Sequence, residues 1–354
     1  MHEMVSRFRL EGTPILCEPF GPGHINQTWL VVTNQPHLYI MQQVNTQIFT
    51  DPDGLMRNIL LVTEHLRAKD PDPRHVMRLV PATDGKTHIL TEGNRLWRVY
   101  EYITGGVCLS GAGSAEDLRQ SAIAFGRFQR MLSDFPAETL TETIPRFHDT
   151  PDRYRKLRLA MAENRAGRLD AVGAEIAFLL EREEKAGILT RMIRSGELPL
   201  RVTHNDTKLN NVMLDEKTRE PMCIMDLDTV MPGLVAYDFG DSIRFGACTG
   251  AEDEPDLNLV HFDLSLYRAY AEGFLSACGD RLTEREIASL PLGALTMTLE
   301  NAVRFLTDYL DGDTYYHTDY PEHNLVRTRT QIRMVSEMEP LEEEMTAIVN
   351  GYRR

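Results

Sequence analysis

The chain has 354 residues, of which 42% are hydrophobic and 26% are charged, and these are the values of an ordinary water-soluble globular protein. Its formal net charge of −15 argues against a general nucleic-acid binder and against a protein of anionic membrane surfaces. The length fits two domains or one bilobal enzyme.

The cysteines and the N-terminal residues indicate the compartment. No C-x-x-C pair occurs, so the cysteines are interpreted as small buried hydrophobic residues; they are Cys17, Cys108, Cys223, Cys248 and Cys278. The first ten residues have no apolar core of the kind a signal peptide requires. We therefore expect a cytoplasmic, monomeric protein without a membrane partner.

The first hundred residues predict a small antiparallel sheet. A short helix is expected over residues 1–12, and the predicted strands cover residues 13–20, 28–33, 38–44, 76–81, 87–90 and 95–102. Between the third and fourth of these, apolar residues at helical spacing predict a helix over 55–69. A sheet of about five strands with one inserted helix is the layout of a kinase N-lobe.

A short glycine loop follows the first strand. Gly21 and Gly23 lack a Cβ and would allow the backbone to approach a phosphate or a sugar closely. His24 and Asn26 follow directly, and folding alone does not need this polar pair. A tight hairpin turn is the alternative.

Beyond the sheet the pattern is mostly helical. Residues 103–112 are rich in glycine and small side chains, so we place a boundary there, with one domain over 1–103 and a helical one over 104–354. The predicted helices cover residues 114–133, 151–165, 170–195, 263–278, 284–311 and 323–349.

The residues most indicative of chemistry lie in the polar loop over 202–214. His204, Asp206 and Asn211 follow H-x-D-x-x-x-x-N, the pattern of a kinase catalytic loop. Asp206 is the candidate general base, or the group that orients the attacking hydroxyl. Lys208 is a candidate to approach the γ-phosphate, and solvent exposure is the alternative.

A predicted β-hairpin supplies the candidate metal ligands. Two short apolar strands flank a turn-rich segment over 215–221, and the second strand ends at Asp226 and Asp228. The hairpin would return Asp226 to Asn211, where an aspartate and an asparagine can share an ion that prefers oxygen ligands. Asp228 is the second candidate carboxylate ligand, through a water molecule or a second ion.

A D-F-G triplet at residues 238–240 matches the magnesium motif of protein kinases. It lies beyond the hairpin and after a Pro-Gly break, so it does not close directly onto Asn211. We expect Asp238 to hold the catalytic loop by backbone hydrogen bonds instead.

The chain resembles the aminoglycoside phosphotransferase and choline kinase superfamily. The similar stretches are residues 21–26, 201–211, 224–246 and 320–331, and together they span nearly the whole chain. Within this superfamily, the runs over 238–246 and 320–331 are most similar to the subfamily of N-acetylhexosamine 1-kinases.

This resemblance implies an α+β, two-lobed, protein-kinase-like fold with ATP and Mg²⁺ as cofactors. It also implies transfer of phosphate to the anomeric C1 hydroxyl of N-acetylglucosamine or N-acetylgalactosamine. The strand before the boundary becomes the adenine-binding hinge, with Glu101 and Ile103. His24, Arg304 and Tyr315 become sugar contacts alongside Asp206.

One position departs from the kinase pattern. Where a kinase strand ends in V-A-I-K, this chain has Gln43, which is neutral and so contributes no charge toward the phosphates. Another cation or the metal must then offset the phosphate charge. The missing lysine also leaves an alternative hypothesis, in which the protein is a pseudokinase-like regulator that binds nucleotide without turnover.

The acceptor is the least determined part. An aminoglycoside kinase needs an acidic pocket and a choline kinase needs an aromatic cage, whereas the candidate residues here mix Arg, His, Asp and Tyr. A neutral sugar fits this mixture better. A homoserine kinase remains the alternative, because Arg304 could hold a carboxylate.

Overall fold

The structure, a computed structural model, describes residues 2–21, 26–35, 37–109, 111 and 114–352. The helices run over His2–Val5 (α1), Pro52–Lys69 (α2), Ala115–Met131 (α3), Thr150–Glu163 (α4), Gly173–Glu181 (α5), Glu183–Ala186 (α6), Ile188–Ser195 (α7), Val235–Gly246 (α8), Leu264–Cys278 (α9), Glu284–Asp311 (α10), His323–Met338 (α11) and Glu342–Asn350 (α12). The strands run over Pro14–Pro19 (β1), Gln27–Thr33 (β2), Leu38–Val44 (β3), Ile89–Thr91 (β4), Arg95–Glu101 (β5), Gly106–Cys108 (β6), Arg201–Thr203 (β7), Val212–Asp215 (β8), Pro221–Ile224 (β9) and Met231–Gly233 (β10).

The chain forms two compact units. The first comprises Met1–Cys108, Asp134–Pro145 and Val212–Pro232, and the second comprises Leu109–Ser133, Arg146–Asn211 and Gly233–Arg354. The first unit contains an antiparallel five-stranded sheet in the order β1-β2-β3-β5-β4, and α2 lies in the chain between β3 and β4. An N-terminal antiparallel sheet followed by a mostly helical part confirms the predicted fold class.

The two faces of the five-stranded sheet have different chemistry. Tyr39 and Met41 point into an apolar cluster that also contains Trp97 and Val99. Side chains alternate between faces along a strand, so Gln42 belongs to the opposite face. The register pairs it with an arginine of β5 (Gln42 with Arg98). One face therefore forms the core, and the other carries polar groups.

The helices begin and end at the residues their sequences favour. Asp51 caps α2 by accepting a hydrogen bond from the Gly54 N–H at 2.9 Å. Thr283 and Glu286 form a reciprocal capping box at the start of α10. Gly312 ends α10 with φ +94°, a conformation that glycine adopts without steric cost.

The second unit is built around a close crossing of α8 and α10. A Cβ added at Gly240 would overlap the carbonyl oxygen of Gly293, and one added at Gly293 would overlap that of Ala236. The two helix backbones therefore touch at this point. Next to it, the Phe239 ring packs edge-on against Tyr270 at a centroid distance of 5.4 Å.

Two predicted helices were too long. The segment over 170–195 forms α5, α6 and α7, with breaks at Arg182 and Gly187. Tertiary contacts explain the first break, because the Arg182 guanidinium stacks on Phe178 and pairs with Glu339. The segment over 323–349 divides into α11 and α12 at a single 3₁₀ turn that contains a proline (Glu339–Leu341).

The ends of the first unit also differ from the prediction. The N-terminal helix stops at Val5, and Phe8 then forms an antiparallel bridge with Ala82. The strand predicted over 76–81 is wrong: this segment pairs only at isolated bridges of Val76 and Leu79. The D-F-G triplet, which no helix was predicted to contain, lies in α8.

Candidate active site

The catalytic loop is held by one buried carboxylate from α8. Asp238 accepts hydrogen bonds from the backbone N–H groups of His204 at 2.9 Å and Asn205 at 2.8 Å. It also accepts one from Gln129 Nε2 at 2.8 Å. Asn205 has φ +63°, so the loop turns sharply at the residue before Asp206. The predicted role of Asp238 in holding the loop is confirmed.

A second carboxylate of α8 supports the other side of the loop. Asp241 accepts a hydrogen bond from the Thr207 N–H at 3.0 Å, and Ser242 donates one to the Thr207 carbonyl at 2.9 Å. Arg244 binds Asp241 and Glu252 at once, so these buried charges compensate one another. The backbone on both sides of Asp206 is thereby fixed.

The loop brings three predicted site residues together. Asp206 lies 3.2 Å from the Lys208 ammonium (Oδ1 to Nζ), and its Oδ2 accepts a hydrogen bond from Asn211 Nδ2 at 3.1 Å. Burial raises the pKa of Asp206, but the charges of Lys208 and His204 outweigh this and hold the pKa below its usual value. The Asp206 carboxylate is therefore ionised at neutral pH and can accept a proton or a hydroxyl hydrogen bond.

Lys208 is half-buried and its ammonium faces acidic groups. The carboxylate of Asp206 raises its pKa most, and Glu252 and Asp241 add to this effect against the cost of burial. Lys208 is therefore cationic at neutral pH. His204, in contrast, is fully buried and packs edge-on against the rings of Phe125 and Phe128.

A cavity of about 320 Å³ opens in the second unit. Its walls include two predicted sugar contacts, Arg304 on α10 and Tyr315 in the loop after this helix. Sequence reasoning missed the cavity residues of α4, because nothing local to Arg153 and Lys156 indicates which distant segment they will face.

Two guanidinium groups of this cavity are held by few partners. Arg153 donates from Nη2 to the Phe147 carbonyl at 2.5 Å, and its buried Nε has no hydrogen-bond partner. Burial and the charge of Arg304 lower the pKa of Arg153. The Arg304 guanidinium lies 5.6 Å from the Tyr316 ring centroid. The cavity lining thus carries three cationic side chains, Arg153, Lys156 and Arg304, and two carboxylates, Asp308 and Asp311.

A buried carboxylate on α10 balances part of this charge. Glu300 accepts hydrogen bonds from Thr150 Oγ1 at 2.6 Å and forms a pair with His148 Nδ1 at 2.8 Å. Burial alone would raise the pKa of Glu300, but His148, Arg153 and Arg304 lower it to about 2.

The loop carrying Tyr315 is fixed by a single aspartate. Asp308 accepts hydrogen bonds from the backbone N–H groups of Thr314, Tyr315 and Tyr316 at 2.8–3.0 Å. Asn324 of α11 donates to the same carboxylate at 2.9 Å. The position of Tyr315 thus depends on Asp308.

In the first unit, Arg98 and Asp228 form a buried ion pair. Arg98 Nη1 and Nη2 bind the two oxygens of Asp228 at 2.5 and 3.0 Å. Arg98 also donates from Nε to Gln42 Oε1 at 2.9 Å, and Asn26 donates to Asp228 at 2.7 Å. The charge of Asp228 outweighs burial and raises the pKa of Arg98.

Sequence reasoning missed this pair, although one signal was available. An arginine in the middle of an otherwise apolar strand needs a buried anionic partner. The predicted nucleotide contact Gln43 pairs with Trp97 in the register. It therefore lies on the face of the sheet opposite to Gln42 and Arg98.

The predicted hairpin forms as β8 and β9. Val212 pairs with Ile224 and Met213 with Cys223. Asp226 follows β9 with φ +54°, and a single 3₁₀ turn over Leu227–Thr229 comes next. Asp226 and Asp228 therefore lie in the same turn.

Three of the remaining predicted residues lie in described parts of the first unit, Glu101, Ile103 and Gly21. Glu101 ends β5, where its N–H donates to the Arg78 carbonyl at 3.0 Å, and Ile103 follows half-buried. Gly21 has φ +73°, as a glycine turn requires. Gly23 and His24 lie outside the described residues.

An antiparallel sheet, a helical part and a loop that presents an ionised aspartate beside an asparagine define a phosphotransferase with a kinase-like fold. Residues 17–273 match the model of the phosphotransferase enzyme family known as APH. The match covers well over half of the chain, and the chain belongs to this family.

Solved structures of similar fold cover nearly the whole chain. A microcompartment-associated aminopropanol kinase is 15% identical with a TM-score of 0.65, over 98% of this chain and 97% of that one. An aminoglycoside phosphotransferase from Alicyclobacillus acidocaldarius is 12% identical with a TM-score of 0.66, over 99% and 96%. An amicoumacin kinase in complex with AMP-PNP and Ca²⁺ is 12% identical with a TM-score of 0.61, over 94% and 91%. At these identities the similarity shows the fold.

Within the described part of the chain, no helix has the length and apolar character needed to cross a membrane. The same residues contain no cluster of three His, Cys, Asp or Glu side chains arranged to hold a metal ion.

Proposed function

We propose that this protein is an ATP- and Mg²⁺-dependent kinase that phosphorylates the anomeric hydroxyl of N-acetylhexosamines to give the 1-phosphate. The observation that carries the proposal is the ionised Asp206 on a loop fixed from both sides by α8. A fixed group that accepts or orients the attacking hydroxyl is a recurring part of phosphoryl-transfer sites, together with the metal and the nucleotide.

The donor chemistry near the loop fits a magnesium nucleotide. Asn211 uses its amide nitrogen toward Asp206, so its amide oxygen is not used in those bonds. Mg²⁺ is commonly held by one or two carboxylates together with substrate phosphates and water, rather than by a full protein cage. We assign Asn211 and Asp226 as its ligands. Bound there, the ion would neutralise charge on the transferred phosphate.

Asp228 is a weaker candidate for this role. Both of its oxygens are taken by Arg98 and Asn26. Direct coordination of the ion would require these bonds to break.

For the nucleotide, we assign the backbone of Glu101 and Ile103 to the adenine and the glycine loop at Gly21 and Gly23 to the phosphates. Lys208 is assigned to the γ-phosphate, because it is cationic and half-exposed beside Asp206. Gln43 remains only a predicted nucleotide contact, because it lies on the face of the sheet opposite to Gln42.

The cavity with Arg304 and Tyr315 supports a sugar acceptor. We assign four residues as sugar contacts: Arg304, Tyr315, Asp206 and His24. The guanidinium groups of the cavity donate hydrogen bonds, which suits hydroxyl and acetamido oxygens. An ammonium group would be repelled by Arg153 and Arg304, and of the two lining carboxylates Asp308 already accepts hydrogen bonds at both oxygens. An amine substrate of the aminoglycoside or choline type therefore fits this cavity less well than a neutral sugar.

One observation favours a second acceptor class. Arg153 and Arg304 both line the cavity, and two guanidinium groups side by side suit a carboxylate. A homoserine-type amino-acid kinase is therefore the second candidate.

The test is Mg²⁺-dependent ATP consumption with N-acetylglucosamine, N-acetylgalactosamine, galactose, homoserine, choline and kanamycin, with products identified by phosphorus NMR. A 1-phosphate of the N-acetylhexosamines is expected. Turnover with homoserine alone would favour the second candidate. ATP binding without turnover on any acceptor would instead indicate a regulator.

Two variants separate the parts of the proposal. Asp206→Asn should bind nucleotide but lose turnover by about 10²-fold or more. Arg304→Met should raise KM for the sugar and leave KM for ATP unchanged. Arg158→Met is the matched control, because this arginine is exposed and pairs with Glu183 away from the cavity lining. Near-wild-type turnover of Asp206→Asn would contradict the assignment of the loop.

A further inference from the structure

The ion pair of Arg98 and Asp228 is almost completely buried, which is unusual for a pair that serves stability alone. Arg98 is 1% exposed, and it is among the largest fully buried side chains of the chain. Burying two charges costs several kcal/mol per ion, and a well-packed apolar pair is often as stable. Stability alone therefore does not explain why these residues stand here.

The pair lies at the centre of a continuous hydrogen-bond network in the first unit. Gln42 binds Arg98 from one side and Thr28 from the other, at 2.9 and 3.2 Å. Asn26 donates to Asp228 and accepts a hydrogen bond from the Asn45 N–H at 3.0 Å. The network thus joins β2, β3 and β5 to the turn that follows β9.

That turn begins at the residue assigned to the metal. Asp226 has φ +54°, in the left-handed region that aspartate adopts more readily than most non-glycine residues, and this reverses the chain after β9. Asp228 is two residues further on, in the same turn, and both its oxygens are bound. A bidentate arginine fixes a carboxylate in orientation as well as in position. Arg98 therefore acts on the turn through Asp228.

Protein kinases pair a lysine of the third strand with a glutamate of the following helix. At the corresponding positions of the described residues, this Lys–Glu ion pair is absent. Gln42 and Gln43 of β3 are neutral, and Glu64 of α2 is exposed. In this chain the buried cation is Arg98 of β5 and not a residue of β3. Its carboxylate partner is Asp228 in the turn after β9 and not a residue of α2.

We propose that Arg98 and Asp228 are positioning residues of phosphoryl transfer, which hold the Asp226 carboxylate in the conformation that binds the metal ion of the nucleotide. This inference rests on the proposed function. It makes Asp228 a support for the ligand Asp226 and not itself a ligand.

The test measures metal binding apart from turnover. Mn²⁺ is titrated by electron paramagnetic resonance into the protein with a non-hydrolysable ATP analogue. In Arg98→Met/Asp228→Leu, which replaces the pair by apolar groups, we expect the Mn²⁺ dissociation constant to rise about 10- to 100-fold, as when a supporting partner of a metal ligand is lost. Affinity for the metal-free analogue should stay within about twofold, because the network contains no assigned adenine contact.

A matched control removes a second bidentate pair. Arg182 binds Glu339 through Nε and Nη2 at 2.9 and 2.8 Å, which is also a bidentate pair but a less buried one, in the second unit. Arg182→Met/Glu339→Leu should leave Mn²⁺ affinity unchanged. Arg98→Lys keeps the buried charge and so guards against misfolding of the double variant. It should weaken Mn²⁺ binding by a smaller factor, because lysine cannot bind both oxygens at once.

The outcomes separate the two proposals. If the wild-type protein neither binds the Mn²⁺ nucleotide nor consumes ATP, the proposed function fails. If the wild type does both, and Arg98→Met/Asp228→Leu and Arg98→Lys bind Mn²⁺ as the wild type does, the positioning role is refuted while the kinase assignment stands.

Discussion

Substitution of Asp238 by asparagine tests whether the catalytic loop depends on a residue that touches no substrate. The carboxylate accepts three hydrogen bonds, from the Asn205 N–H at Oδ1 and from the His204 N–H and Gln129 at Oδ2. An asparagine keeps one oxygen, so in its better orientation it retains the two bonds at Oδ2 and faces Asn205 with an NH₂ group. One charge-assisted bond is lost, and two donors then oppose each other.

The magnitude follows from these contacts. A hydrogen bond to a charged group contributes about 1.5–3 kcal/mol; the two opposed donors add to this loss, and relief of the buried carboxylate, whose pKa burial raises, offsets a comparable amount. A net local destabilisation of about 1.5–3 kcal/mol corresponds to roughly 10- to 100-fold more opening of the loop. We expect amide hydrogen exchange at His204 and Asn205 to accelerate by this factor. The value of kcat should also fall, because Asp206 is less precisely placed when its loop has lost this bond.

The control is Asp263→Asn. Asp263 caps α9 by accepting hydrogen bonds from the backbone N–H groups of Ser265 and Leu266, a comparable arrangement in a helix that carries no assigned site residue. It should accelerate exchange locally at α9 without changing kcat. Unchanged exchange at His204 and Asn205 in Asp238→Asn, or a kcat equal to that of the control, would refute the reasoning.

Three further perturbations test other parts of the site. Asp226→Ala should abolish ATP consumption and its metal dependence together, measured as a Mg²⁺ titration; ordinary Mg²⁺ activation would place the ligand elsewhere. Because the pKa of Glu300 falls from 4.5 to about 2 on folding, its carboxylate stabilises the protein fully above pH 4.5 and loses this contribution as the pH falls toward 2. This amounts to about 3 kcal/mol. Urea unfolding between pH 3 and 6 should therefore show a weaker pH dependence in Glu300→Gln, and an unaltered slope would contradict the shift. Asp308→Ala releases the backbone of the loop that carries Tyr315, so KM for the acceptor should rise about tenfold with KM for ATP unchanged; equal changes in both constants would contradict a role specific to the acceptor.

The parts of the site that are local in sequence were predictable. The spacing of Asp206 and Asn211 in one loop places both side chains near each other whatever the rest of the chain does. The bracing by Asp238 was predicted because a Pro-Gly segment separates this residue from the hairpin. Only the first inference rests on short-range geometry, since Asp238 lies 33–34 residues from the backbone groups that it binds.

The parts that depend on strand phase or on distant segments were not predictable. Gln42 and Gln43 are adjacent, and only the register with Arg98 decides which of them faces the polar side of the sheet. The cavity joins α4 to the end of α10, about 150 residues apart in sequence. The domain boundary at residue 103 and the roles of the site residues stay predictions.

The glycine crossing of α8 and α10 bears on how acceptor preference can diverge. Since backbone meets backbone at Gly240 and Gly293, no side chain sets the spacing of these helices. One helix holds the catalytic loop through Asp238, and the other presents Arg304 to the cavity. Substitutions on the cavity side of α10 can thus accumulate while the loop stays in place, so the proposed acceptor site can change without disturbing the proposed transfer chemistry.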